Sequence, residues 1–214
     1  MAKKKFIERR RQKCREDRTK SIDARDYRSS VVGLLTEMGV EFETHECGSD
    51  EDGYCGFKLS YDPAWDRTWY IVKNPHGGSD LELAVEYGFD VMFGHACWSF
   101  RPTLGGYQNF CEMIKAVLSG NAAAVSCLVG GEEVAVAILA RELLNEQDMR
   151  LLERIAERDY YQTEQDIYYK DDFSTSLELK KKLRKLRSRD GWVASYAFWD
   201  PKKNKIEEFK KSQD

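Results

Sequence analysis

Apolar side chains recur along this chain with two different periods, and the switches between them mark its elements. Tyr27, Val31, Leu34, Leu35 and Met38 fall at i, i+4, i+7, i+8 and i+11, one face of a helix. Asp23 stands where a helix cap belongs and Gly39 where a helix stops. The period then shortens to two. In VEFETHEC (40–47), Val40, Phe42 and Thr44 face one way, and Glu41, Glu43, His45 and Cys47 the other. After the acidic loop GSDEDG, the runs FKLSY, TWYIVK, DLELAVEY and FDVMF read as four more strands, with DPAWD and NPHGGS as turns.

Helical spacing returns with Tyr107, Phe110, Cys111, Ile114, Val117 and Leu118, a stripe suited to lying on a sheet and closed by Gly120. AAVSCLV and EEVAVAIL flank Gly130-Gly131, the signature of a two-residue hairpin. Beyond residue 140 a helix is expected with Asn145 as its cap and Met149, Leu152, Ile155 and Ala156 inward. DYYQTEQDIYY fits either strand or loop, and a further helix starts at the capping box Thr175–Glu178. That helix buries Leu179, Leu183 and Leu186. WVASYAFW, a DPKKN turn and KIEEF close the chain as a second hairpin.

Hairpins and helices without regular βαβ alternation predict an α+β fold: a mainly antiparallel sheet with helices packed on one face, a basic N-terminal arm, and a C-terminal helix plus hairpin. The expected plan is an arm over residues 1–20 and a single domain over 21–214, with a subdivision admitted near 140–145.

Composition adds bounds. With 214 residues, 42% hydrophobic and 33% charged, the chain can bury a core and is not of the disordered class. No window has the roughly 18–20 uncharged apolar residues of a membrane span. MAKKKFIERRRQK has no apolar segment after its charges, so the expected location is cytoplasmic. Six cysteines without a CxxC pair are then expected to be reduced thiols rather than a disulfide framework.

A net charge of −3 conceals strong segregation. Residues 1–20 carry ten Lys or Arg against three acids, residues 21–60 nine acids against three bases, and residues 180–189 seven bases and no acid. The two basic segments could neutralise phosphates through Lys3, Lys4, Lys5, Arg9, Arg10, Arg11, Lys181, Lys182, Arg184, Lys185 and Arg187. Tyr160, Tyr161, Tyr168 and Tyr169 could stack on unpaired bases. No helix-turn-helix, RNP or zinc-finger pattern accompanies them.

The chemistry-bearing residues cluster least where catalysis would need them most. In FGHACWSF, a continuing strand would put Phe89, Val91, Phe93, His95 and Cys97 on one buried face, His95 and Cys97 forming part of a core wall. Side chains two apart on a strand stand about 6–7 Å apart, too far for a thiol–imidazole hydrogen bond. A sharper alternative is metal: His45-Glu-Cys47 and His95-Ala-Cys97 repeat one pattern, and together would make a Cys2His2 zinc site if Gly94 reset the register. Glu82, Glu86 and Asp90 read as the solvent side of an amphipathic sheet, NPHGG as a turn, and Gly105-Gly106 as a tight helix entry.

No catalytic residues are assigned and no cofactor is expected, zinc being the minor alternative. The first functional reading is a non-catalytic interaction or regulatory protein that binds another macromolecule, a protein before any other, with Trp65 and Trp69 among its anchors. Behind it stand a nucleic-acid-associated protein using residues 3–20 and 180–189, and a small metal- or Cys/His-dependent enzyme.

Overall fold

The computed structural model describes residues 19–47, 67–144, 151 and 191–210. The chain builds two sheets where the sequence suggested one. The first has the order β1-β2-β3-β4-β5, from Phe42–Cys47, Arg67–Val72, Leu81–Val85, Phe89–Phe93 and Ala96–Phe100. The second has the order β7-β6-β8-β9, from β6 (Ala122–Val129), β7 (Glu132–Ala140), β8 (Trp192–Ala197) and β9 (Lys205–Phe209). Helices are few: α1 (Arg28–Glu37), entered through a 3-10 turn at Ala24–Tyr27, α2 (Leu104–Leu118) and the short α3 (Arg141–Leu144). An α+β class fits this content. Among the described residues, no helix is long and apolar enough to cross a membrane.

Two compact units share the chain in alternation. One takes the chain up to Lys73, then Glu82–Val91 and Ser99–Ile114. The other takes Asn74–Leu81, Met92–Trp98 and the chain from Lys115.

In the first unit, Asp23 does what its position promised: its carboxylate accepts from the Arg25 amide at 3.0 Å and caps the 3-10 turn. Val31 and Leu35 are fully buried on the predicted face of α1, and Gly39 leaves it with φ +65°. β1 and β2 run antiparallel with Thr44 opposite Tyr70 and His45 opposite Trp69. One face of this sheet is apolar, with Tyr70, Val72, Leu83, Val85, Phe89 and Val91 all essentially inaccessible. Phe89 is the hub of an aromatic group, its ring centroid 6.1 Å from Tyr27, 5.4 Å from Tyr107 and 5.3 Å from Phe110.

The entry to α2 is tight, as expected. The Gly106 amide donates to the Thr103 hydroxyl at 3.0 Å, and a Cβ at Gly106 would fall 2.0 Å from the Arg101 carbonyl oxygen. Only glycine fits there, and its N–H is already used. Cys111, expected in the core, is half-buried. Burial pushes the Tyr107 hydroxyl up to about 12, with a hydrogen bond to Cys111 adding to the rise.

In the second unit the Gly-Gly hairpin forms as read. Gly130 and Gly131 both take positive φ, +63° and +86°, the turn that matches strand twist. β6 pairs antiparallel with both β7 and β8, and β8 with β9. The ladder shifts after Cys127, which faces Ala135 while Leu128 faces Glu133. Val134 is therefore the extra residue of a bulge, and it packs on the core. Val125, Cys127, Ala137, Leu139, Ala194, Tyr196, Trp192, Leu144 and Leu151 make that core. Asn74 pins the NPHGG turn: its side chain accepts from the His76 amide and donates to the Ser79 and Trp199 carbonyls.

Burial raises the Cys127 thiol from its ordinary 9.0 to about 12, and raises the Tyr196 hydroxyl further, helped by its hydrogen bond to Glu207. These folded-state values, like that of Tyr107, lie above the unfolded ones. The stability they carry is thus complete below about pH 9 and drains as pH climbs toward 12. Urea midpoints taken at pH 8, 9.5 and 10.5 should fall in that order. Iodoacetamide should leave Cys127 unlabelled below the transition and label it fully above; labelling at Cys127 itself in the native chain at pH 8, mapped by peptide mass, would contradict the burial.

The strand through FGHACWSF does not continue. Gly94, at φ +60°, and His95 form a turn between β4 and β5. His95 is exposed at its tip, not in a core wall. The turn also resets the alternation: Ala96 and Trp98 are buried, and Cys97 stands half-buried on the opposite face. Gly94 did break the register, but by folding the chain back rather than by bulging it.

Candidate protein-docking face

The structure separates the residues singled out as metal ligands. His45 and Cys47 lie on β1, Cys97 on β5, and these are the two edges of the first sheet, with β2, β3 and β4 between them. Neighbouring strands stand about 4.8 Å apart, whereas zinc ligands lie about 2 Å from the ion. The His45 imidazole instead meets its strand neighbour Glu43 at 3.5 Å. Among the described residues, no three His, Cys, Asp or Glu side chains are placed to hold a metal. Apart from the exposed Lys20, the basic residues of the two charged segments lie outside the described residues, as does Trp65.

Trp69 is described, and its surroundings are polar. It shares a face with His45, Arg67 and Glu86, and the Arg67 guanidinium lies 5.3 Å from its ring centre. Arg67 Nε donates to Glu86 Oε2 at 2.7 Å, and Nη2 comes within 3.9 Å of Asp90. Glu86 is only 8% exposed, so this acidic row is not the solvent face that the spacing suggested. Its charge is neutralised inside the fold, which makes it a structural ion pair. Of the other tryptophans, Trp98, Trp192 and Trp199 are buried.

The second sheet has one covered face and one open one. Trp192, Ala194 and Tyr196 of β8 point into the core cluster, so Val193, Ser195 and Ala197 point out. Register places three rows across this outer face. Ile138, Ala124 and Ala197 form the first. The β4–β5 turn lies over it: a Cβ on Gly94 would stand 3.4 Å from that of Ala124. The second row is Val136, Ser126, Ser195 and Ile206; the third is Glu133, Leu128, Val193 and Glu208. Away from Gly94 the face opens: Val136, Ser126, Leu128 and Val193 are half-buried, and Ile206 is 70% exposed.

The open end of this face runs into a groove of about 390 Å³ lined by Leu128, the turn Gly130-Gly131, Trp192, Val193 and Phe209. Trp192 and Phe209 stack across β8 and β9 with centroids 4.3 Å apart on the core side of the sheet, and border the groove from there. Gly130 and Gly131 leave backbone accessible where other residues would project side chains, and Glu208 and Lys210 put charge on the rim. An apolar floor, free backbone and a charged border are what a protein segment needs to dock.

Of these residues, the sequence offered only Trp192 as a candidate anchor. The available signals were the outward half of WVASYAFW and the apolar Ile of KIEEF, each unremarkable alone. Comparison with protein-family models, with curated proteins and with solved structures finds no match for this chain.

Proposed function

We propose that this chain is a non-catalytic interaction protein that binds another protein through the outer face of its second sheet. The supporting observation is the half-open apolar face of Val136, Leu128 and Val193, continuous with the groove that Leu128 and Val193 also line. A protein partner would place an apolar side chain against Leu128 and Val193 and engage Glu208 and Lys210 at the rim. Shape and desolvation would carry the affinity, with the rim charges setting orientation.

The test is a photo-crosslinking residue at Val193 in the full chain, expressed in its own cells, with Glu37 on α1 as the control position. The expected result is a discrete adduct at 193 that protease removes and nuclease does not, absent at 37, and several-fold weaker once Glu208→Arg reverses a rim charge. A nuclease-sensitive adduct would transfer the function to nucleic-acid binding through residues 3–20 and 180–189. No adduct at 193 would reject docking on this face.

A further inference from the structure

We infer that the outer edge of β9 pairs with β9 of a second copy of this chain, joining two four-stranded sheets across a two-fold axis at Ile206. This goes beyond the docking face just described, because the contact is the sheet's edge and the partner is the chain itself.

β9 ends the strand order of its sheet, so one side of its backbone has no ladder partner among the described residues. Such an edge is a template for another strand. Ile206 is the most exposed of the large hydrophobic residues described, at 70%. Charges on an edge ordinarily discourage pairing, and KIEEF has three. Their order matters, however. A two-fold antiparallel pairing centred on Ile206 sets Ile206 opposite its own copy and Lys205 opposite Glu207 in both directions.

Moving the centre by one residue in the C-terminal direction puts Glu207 against Glu207. Moving it by one residue in the other direction puts Lys205 against Lys205. Of these registers, only the one centred on Ile206 pairs apolar with apolar and charge with opposite charge.

The side chains are already held for it. Lys205 Nζ donates to Glu207 Oε1 at 2.6 Å and lies 4.3 Å from the Tyr196 ring centre, while the Tyr196 hydroxyl donates to Glu207 Oε2 at 2.7 Å. Burial opposes the Glu207 charge, but the hydrogen bonds from Lys205 and Tyr196 outweigh it and keep the carboxyl below its ordinary range. On the outer face, the row Val136, Ser126, Ser195, Ile206 would run on through the axis into the same row of the second copy.

Opposed residues in an antiparallel pair have Cα atoms about 4.5–5.5 Å apart, within disulfide reach. Full-length Ile206→Cys should therefore give a covalent dimer under mild oxidation. Glu208→Cys should not, because its two copies would lie about 14 Å apart along the strands. The unmodified chain, with its six cysteines, sets the background. In sedimentation velocity the unmodified chain should associate in the micromolar range, and Ile206→Asp, which opposes two carboxylates on the axis, should weaken association at least tenfold. At so exposed a position that change should leave the circular dichroism spectrum unaltered. Equal cross-linking at 206 and 208, or a monomer at all concentrations up to 100 μM, would overturn the proposal. Neither result bears on the adduct at Val193, so the two readings fail separately.

Discussion

Phe89→Ala should be among the most damaging single substitutions in the first unit, lowering stability by about 3–5 kcal/mol. Phe89 is wholly buried and its ring meets three others: Tyr27 edge-on at 89°, Tyr107 and Phe110 at tilted angles. Removing it takes away the buried apolar surface and leaves a cavity that rigid aromatic neighbours cannot fill. It also removes three ring pairings, each contributing about 0.5–1.5 kcal/mol beyond area burial. Phe89→Leu keeps most of the volume and should cost less than half as much. Urea titration at pH 7 measures both; an Ala variant within about 1 kcal/mol of the parent would mean that Phe89 is not the hub the geometry describes. The loss is large against the total of about 5–15 kcal/mol usual for a folded domain.

Arg67→Leu should follow at about 2–4 kcal/mol, for a different reason. The substitution leaves Glu86, 8% exposed, without the guanidinium that donates to it at 2.7 Å, and with Asp90 as a neighbouring carboxylate. The cost arises chiefly from the stranded acid rather than from a strong native attraction. The double variant Arg67→Leu/Glu86→Leu should accordingly recover most of the loss. Arg67→Lys should fall between, since an ammonium keeps the charge but not the planar contact with Trp69. If the double variant is no more stable than Arg67→Leu alone, the penalty lies in packing and the electrostatic account is wrong.

Local chemistry was readable from sequence wherever one residue type has one use. Asp23 as a cap, Gly39 as a stop, Gly130-Gly131 as a hairpin and Asn74 in a turn all depend on nearest neighbours, and all appear as read. The β4–β5 turn was missed because Gly94-His95 sits inside an unbroken apolar run, where alternation through a strand and alternation across a hairpin look alike. The division into two sheets was hidden for a related reason: pairing depends on which strands meet, and each strand reads the same whichever sheet it joins. Glu86 shows the limit for charge. Its spacing with Glu82 and Asp90 predicted a solvent face, but Arg67, nineteen residues earlier, let it be buried. The outer face of the second sheet was unreadable because its rows collect one side chain from each of four separate strands.

The alternation of the two units along the chain has a consequence for how the protein is made. A ribosome releases sequence in order, and domains commonly fold one after another as they emerge. Here the first unit is not complete until Ile114 has left the exit tunnel, and by then two portions of the second have already emerged. The first unit therefore cannot close before portions of the second have emerged, and the second waits for the chain beyond Lys115. Synthesis that stalls between Lys73 and Ile114 therefore leaves a nascent chain holding two incomplete cores, the state in which chaperone capture is most needed.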